Sequence, residues 1–206
     1  MNNIKRALVS VWDKQGIVEL VKFLIDNQIE VISTGGTKKI LEENNLPVTS
    51  VSSITNQNEI MNGRVKTLHP NLFGGILADR ENENHIEDLN HINAQSIDLV
   101  IINLYPFQKE AIDKKLNLEK SIEYIDIGGP SMLRAAAKNF KHVIPLCESY
   151  QYNAFIEDYK ENKGLFSIEK RIEYAKIVFN KTMRYDFLIN KYFCEQSQLI
   201  EEKLMP

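Results

Sequence analysis

Hydrophobic positions along this chain switch between two spacings, and the switching lays out a fold. In the run 6–11 (RALVSV) apolar and β-branched residues are consecutive, whereas after polar Asp13 the residues Ile17, Val18, Leu20, Val21, Leu24 and Ile25 recur with helical spacing. The spacing predicts a strand, a turn and a helix, with Asp13 as N-cap and with Lys14 and Gly16 at the positive helix end, where free N–H groups favour an anion. The same sequence of events follows at once. Residues 29–33 predict a strand, Thr34-Gly35-Gly36-Thr37 a small-residue turn, and 38–45 a helix. Residues 46–54 predict a short strand. Residues 63–77 predict a long irregular loop, in which hydrophobic residues interleaved with Arg64, Lys66 and His69 tie it to the core. A polar helix over 81–94 precedes the continuous apolar run 97–104, the pattern of a central parallel strand covered on both faces. Tyr105-Pro106 ends that strand, because proline cannot continue the ladder. A last strand is expected at 142–146, and 167–193 predicts one long amphipathic helix or a kinked pair.

Strands alternating with helices predict an α/β fold with a parallel sheet. Two adjacent strand-to-helix turns then share one sheet edge and form one crevice, the usual ligand position in such sheets. A glycine pair lets backbone close on a phosphate, and Thr34 and Thr37 add hydroxyl donors. Asn103 and Tyr105 fall on the same edge. A further entry at 124–127 leads into the stretch 125–139 (IDIGGPSMLRAAAKN), where Asp126 precedes Gly128 and Gly129, Pro130 suits a first helical position and Asn139 a C-cap. Ser131, Arg134 and Lys138 share one face of this otherwise apolar helix. That cationic stripe either walls an anion pocket or forms a solvated face.

The 206 residues, 43% of them hydrophobic, suffice for one sizeable core with at most an appendage. A formal net charge of -3 without any basic block argues against nucleic acid as a partner. Cys147 and Cys194 lack metal-ligand spacing with the four histidines, so they are read as reduced and structural, with no metal expected. No apolar run matches a membrane span, the N-terminus lacks a cleavable apolar leader, and a cytoplasmic location is expected.

Several separated motifs coincide with one family. Residues 10–16 (SVWDKQG), 34–37 (TGGT), 63–70 (GRVKTLHP), 103–107 (NLYPF) and 126–139 resemble, in order, the N-terminal inosine monophosphate cyclohydrolase domain of bifunctional purine biosynthesis proteins. The resemblance implies a methylglyoxal-synthase-like, three-layer α/β/α sandwich over 1–147. It also implies a helical extension over 148–206, leading toward an AICAR formyltransferase domain not in this chain. It implies dehydrative closure of 5-formamidoimidazole-4-carboxamide ribotide (FAICAR) to inosine 5′-monophosphate, no metal or organic cofactor, and a homodimer. Carried over by position, Ser10, Trp12, Asp13, Lys14, Thr34, Gly35, Gly36, Thr37, Arg64, Val65 and Thr67 hold the nucleotide and its phosphate. Ile102, Asn103, Ile127 and Gly128 line the base, and Lys66, Tyr105, Asp126 and Lys138 match the catalytic set. The family usually has a small hydroxyl residue where Trp12 stands and often histidine where Phe73 stands, so Phe73 is given no chemistry. A methylglyoxal synthase-type lyase and a nucleotide-sensing allosteric module of the same fold are the alternatives; the 63–70 loop and the Tyr105, Asp126 and Lys138 constellation argue against them.

Overall fold

The computed structural model describes residues 3–204, with side chains to Gln198. Five strands form the sheet: β1 (Arg6–Val11), β2 (Glu30–Ser33), β3 (Thr49–Ser50), β4 (Leu99–Asn103) and β5 (Ile144–Leu146). Their spatial order is β3-β2-β1-β4-β5 and every pairing is parallel. Helices α1 (Ile17–Asp26), α2 (Gly35–Glu43), α3 (Val51–Thr55), α4 (Pro70–Leu77) and α5 (Glu83–His91) precede β4 in the chain. After it come a π-helical turn (Gln108–Ile112), α6 (Leu118–Ser121), a 3-10 turn (Ile122–Tyr124), α7 (Gly128–Lys138), α8 (Gln151–Glu161) and α9 (Ile168–Leu204).

Side chains alternate across a strand, so each strand feeds two cores. Ala7, Val9, Leu99 and Ile101 face α1 and α8, where Ile17, Leu20, Leu24, Tyr152 and Phe155 are buried with them. Leu8, Val100 and Ile102 face the other way, onto Leu72, Ile76, Met132, Leu133 and Ala136 of α4 and α7. All five residues of β4 are buried, which explains its unbroken apolar run. Each fully buried leucine here contributes roughly 1.5–3 kcal/mol. The C-terminal helices join both cores: Tyr174 belongs to the first, and Ala175, Val178, Tyr185 and Tyr192 to the second. The layered α/β/α architecture agrees with the sequence pattern.

Several local expectations change. The N-cap of α1 is Gly16, at φ 71°, while Asp13 Oδ1 accepts from the Gln15 N–H at 3.0 Å and closes a turn three residues earlier. Over 46–54 only Thr49 and Ser50 pair, with Ile32 and Ser33. The Ser53 hydroxyl then donates to Ser50 O at 2.7 Å, local bonding of the kind that diverts backbone from a ladder into a turn, and α3 begins. The second half of 63–77 is helix α4, with Pro70 at its first position and His69 Nδ1 accepting from the Asn71 N–H at 3.2 Å. Its glycine pair disguised it: a Cβ at Gly75 would lie 2.5 Å from Gln95 O, so the residue is small for close packing. Residues 124–127 form no strand. Helix α7 starts at Gly128, two residues before Pro130, and ends at C-cap Asn139 as expected. The long helix α9 is continuous.

Candidate functional site

A cavity of about 710 Å³ opens at the C-terminal ends of β1, β2 and β4, where three strand exits meet. Ser10, Trp12 and Lys14 come from the β1 exit, and Thr34, Gly36 and Thr37 from the β2 exit. Arg64, Lys66 and Thr67 descend from the loop before α4, Ile102, Asn103 and Tyr105 end β4, and Asp126, Ile127 and Gly128 open α7. Segments from five remote parts of the chain thus line one cavity. Asp13, Gly35 and Val65 stand beside the lining without forming it. Sequence reasoning did not single out Glu123, Ile125 and Met132, which also line the cavity. Glu123 betrays itself only through its partner: the Arg64 guanidinium donates to both of its carboxylate oxygens across the mouth.

One end of the cavity suits an anion. Gly35 takes φ +56°, a left-handed conformation natural to glycine, and the chain turns there into α2. The N-cap residue Thr34 leaves the first turn without a side-chain acceptor, so its N–H groups point into the opening with the positive end of the helix dipole. The Thr37 hydroxyl, buried, is already used: it accepts from Val11 N–H at 3.0 Å and donates to Val11 O at 2.9 Å. Only the Thr37 backbone is left to face the opening. Lys14 Nζ donates to Val11 O, to Trp12 O at 3.2 Å and to Thr37 Oγ1 at 3.3 Å. Burial lowers the Lys14 pKa, Asp13 opposes that, and Lys66 adds to it. Two ammonium groups close enough to repel one another mark a place for negative charge.

Asn103, expected beside the base, fastens the floor. Its Oδ1 accepts from the Trp12 N–H and from the Asp13 N–H at 3.0 Å, and its Nδ2 donates to Asp13 O at 3.0 Å. That pairing orients the Trp12 indole over Tyr105, with ring centroids 4.7 Å apart.

The other end carries a desolvated carboxyl. Burial pushes the Asp126 pKa above the ordinary range, against the Gly129 N–H, Lys66 and the Tyr105 backbone, which favour the anion. The Gly129 N–H donates to Asp126 Oδ1 at 2.9 Å. A Cβ at Gly129 would sit 2.3 Å from Asp126 Oδ2, and one at Gly128 would sit 2.7 Å from Thr67 Oγ1. The glycines are therefore what lets the carboxylate fold back beneath the Lys66 loop.

Arg134 and Lys138 take the solvated alternative. Both are exposed, Arg134 lies 5.6 Å over the Phe179 ring of α9, and α7 meets the cavity through Gly128, Gly129 and Met132 instead. The geometry of this chain brings Lys66, Tyr105 and Asp126 together and leaves Lys138 outside. Among the described residues no group of three or more His, Cys, Asp or Glu side chains is placed to hold a metal ion. No helix among them is long and apolar enough to cross a membrane.

Comparison with known proteins places this geometry among relatives. Residues 16–131 match the MGS-like domain family, and residues 136–205 match the family described as the AICARFT/IMPCHase bienzyme. The bifunctional purine biosynthesis proteins PurH of Bacillus thuringiensis (strain Al Hakam) and Bacillus cereus (strain AH820) are each 50% identical over 192 residues. Those residues are 93% of this chain and 37% of either relative, so the chain spans little more than a third of their length. The crystal structure of ForH superposes with a TM-score of 0.80 at 33% identity, covering 92% of this chain and 96% of that one.

Proposed function

We infer the reaction from kinship and geometry together: the chain belongs to the MGS-like domain family and, within it, to the purine-biosynthesis proteins of PurH type. Its reaction is the dehydrative closure of FAICAR to inosine 5′-monophosphate. The observation that carries this reading is a single cavity in which the start of α2 and the Lys14 ammonium face an anion, the Asp126 carboxyl is buried, and Lys66 acts on both.

The carboxamide nitrogen attacks the formyl carbon, forming the new N–C bond as the carbonyl π bond opens onto oxygen. The amide nitrogen gives up one proton, and the oxygen takes one to become a hydroxyl. That hydroxyl then leaves with a second proton as water, while the former formamido nitrogen loses its hydrogen and forms the ring C=N bond. Nucleophile and electrophile belong to one molecule, so holding them folded together supplies much of the rate. Asp126, its basicity raised by burial, takes the amide proton in this reading. Lys66 and Tyr105, which line the same cavity, stabilise the charge growing on oxygen, where losing one donor typically costs ~3 kcal/mol. The N–H groups opening α2 hold the 5′-phosphate and fix the ribotide in register.

A small nucleotide is thus the partner this site takes. The outward apolar residues Phe179, Met183 and Phe187 of α9 support assembly as a homodimer. The deciding experiment incubates the protein with synthetic FAICAR and follows the inosinate absorbance. Steady inosinate formation bears the reading out; an unchanged spectrum, with the protein folded, overturns it.

A further inference from the structure

The wall that carries Asp126 is fastened from behind by the long C-terminal helix. Tyr185 of α9 is 6% exposed and sets its hydroxyl against the backbone on both sides of Ile125. The Asp126 N–H donates to Tyr185 Oη at 2.7 Å, and the Tyr185 hydroxyl donates to Tyr124 O at 3.3 Å. Two turns along the same helix, equally buried Tyr192 donates to Ser121 Oγ at 2.9 Å. Residues seven apart share a helix face. Helix α9 therefore pins the segment 121–126 at both ends, and only the Tyr185 contact reaches the peptide of Asp126.

We propose that Tyr185 is a positioning residue for ring closure, its hydroxyl holding the Asp126 peptide so that the carboxylate stays turned into the cavity beside Lys66. The chemistry of this inference rests on the cyclohydrolase reading; its geometry does not. Two hydrogen bonds fix the Asp126 residue: the Gly129 N–H of α7 donates to its carboxylate, and its own N–H donates to the Tyr185 hydroxyl of α9. The groups that act on the carboxyl are Lys66, the Tyr105 backbone and the Gly129 N–H, with Tyr185 itself behind it. Burial outweighs them and holds the carboxyl above its ordinary range. A peptide released from Tyr185 admits water, and the carboxyl then titrates lower.

Tyr185→Phe keeps the ring in the core and deletes only the hydroxyl. Tyr192→Phe makes the same deletion two turns away and serves as the control for loss of a buried hydroxyl. The expected result for Tyr185→Phe is a kcat reduced by at least about tenfold with KM within roughly threefold, the pattern of a lost transition-state interaction. Its acid limb moves to lower pH, while Tyr192→Phe keeps both kcat and limb. Wild-type kcat and pH profile in Tyr185→Phe overturn the proposal, as does an equal loss in both variants. If wild-type protein forms no inosinate, the cyclohydrolase reading fails. The Asp126 carboxyl titration, followed by NMR in ligand-free protein, then decides the positioning role by itself: a lowered midpoint in Tyr185→Phe supports it and an unmoved one overturns it. Should Tyr185→Phe not fold, hydrogen exchange of the wild-type Asp126 amide gives the answer, with slow exchange supporting the clamp and unprotected exchange refuting it.

Discussion

Asp126 combines two demands that pull against one another. Burial favours its neutral form, while the Gly129 N–H and Lys66 favour the anion. Because the folded-state pKa is raised, the native protein binds this proton more readily than the unfolded chain. The stability this adds is fully present below the unfolded pKa and is lost as pH rises through the folded one. Asp126→Asn keeps the shape and removes the ionisation. It is expected to raise the melting temperature at neutral pH relative to wild type and to change it little at acid pH, as differential scanning calorimetry at both conditions will show. The same substitution is expected to lower turnover by about 10²-fold or more, the usual range for a lost general base. A melting temperature that falls at neutral pH would mean that the anion is a net stabiliser. Such sites commonly trade stability for chemistry.

At the scale of elements, the β1 exit shows how a turn is held in place from a distance. Asn103, at the end of β4, bonds the Trp12 N–H and both the N–H and the carbonyl of Asp13, and it is available because Val11 and Asn103 lie opposite one another in the β1·β4 pairing. Asn103→Ala leaves those backbone groups without their partners and is expected to cost roughly 1–3 kcal/mol in urea unfolding. It is also expected to weaken inosinate binding in calorimetry, although Asn103 itself need not touch the nucleotide. The strand exits, their order along the chain and the meeting of their loops were legible in the sequence, because alternating periods and glycine turns are local signals. What was not legible depended on partners far away. Asp13 resembles an N-cap by type, yet Gly16 takes the position because the chain first makes a turn through Gln15. Helix α4 was hidden because Gly74 and Gly75 read as loop, although a β4-side carbonyl presses on Gly75. The stripe on α7 satisfied the periodicity of a pocket wall, but the helix meets the cavity through Gly128, Gly129 and Met132, whereas Arg134 and Lys138 are exposed and lie outside the lining.

For the whole molecule, α9 does two jobs with its two faces. Its inner face closes the second core through Ala175, Val178, Tyr185 and Tyr192. Its outer face leaves Phe179, Met183 and Phe187 exposed at intervals of about one helical turn. This row of exposed apolar side chains is the proposed contact for a second copy. If two copies pair through it, Phe187→Glu is expected to give a monomer in sedimentation equilibrium at concentrations where wild type is a dimer, with the far-ultraviolet circular dichroism unchanged. A wild-type monomer at micromolar concentration would refute the pairing. Trp12 makes the molecule easy to watch as a whole. It is the only tryptophan in the chain, and it stands on Tyr105 at the cavity rim. Tryptophan emission from this protein is consequently a one-site optical signal, reporting when the mouth comes apart, whereas dichroism reports when the helices do. Because the rim is stitched from segments that span both cores, the two melting curves are expected to superimpose, as they do when a domain unfolds in one step. An emission change that precedes the dichroism by several degrees would reveal a mouth that opens while the sheet beneath it is still intact.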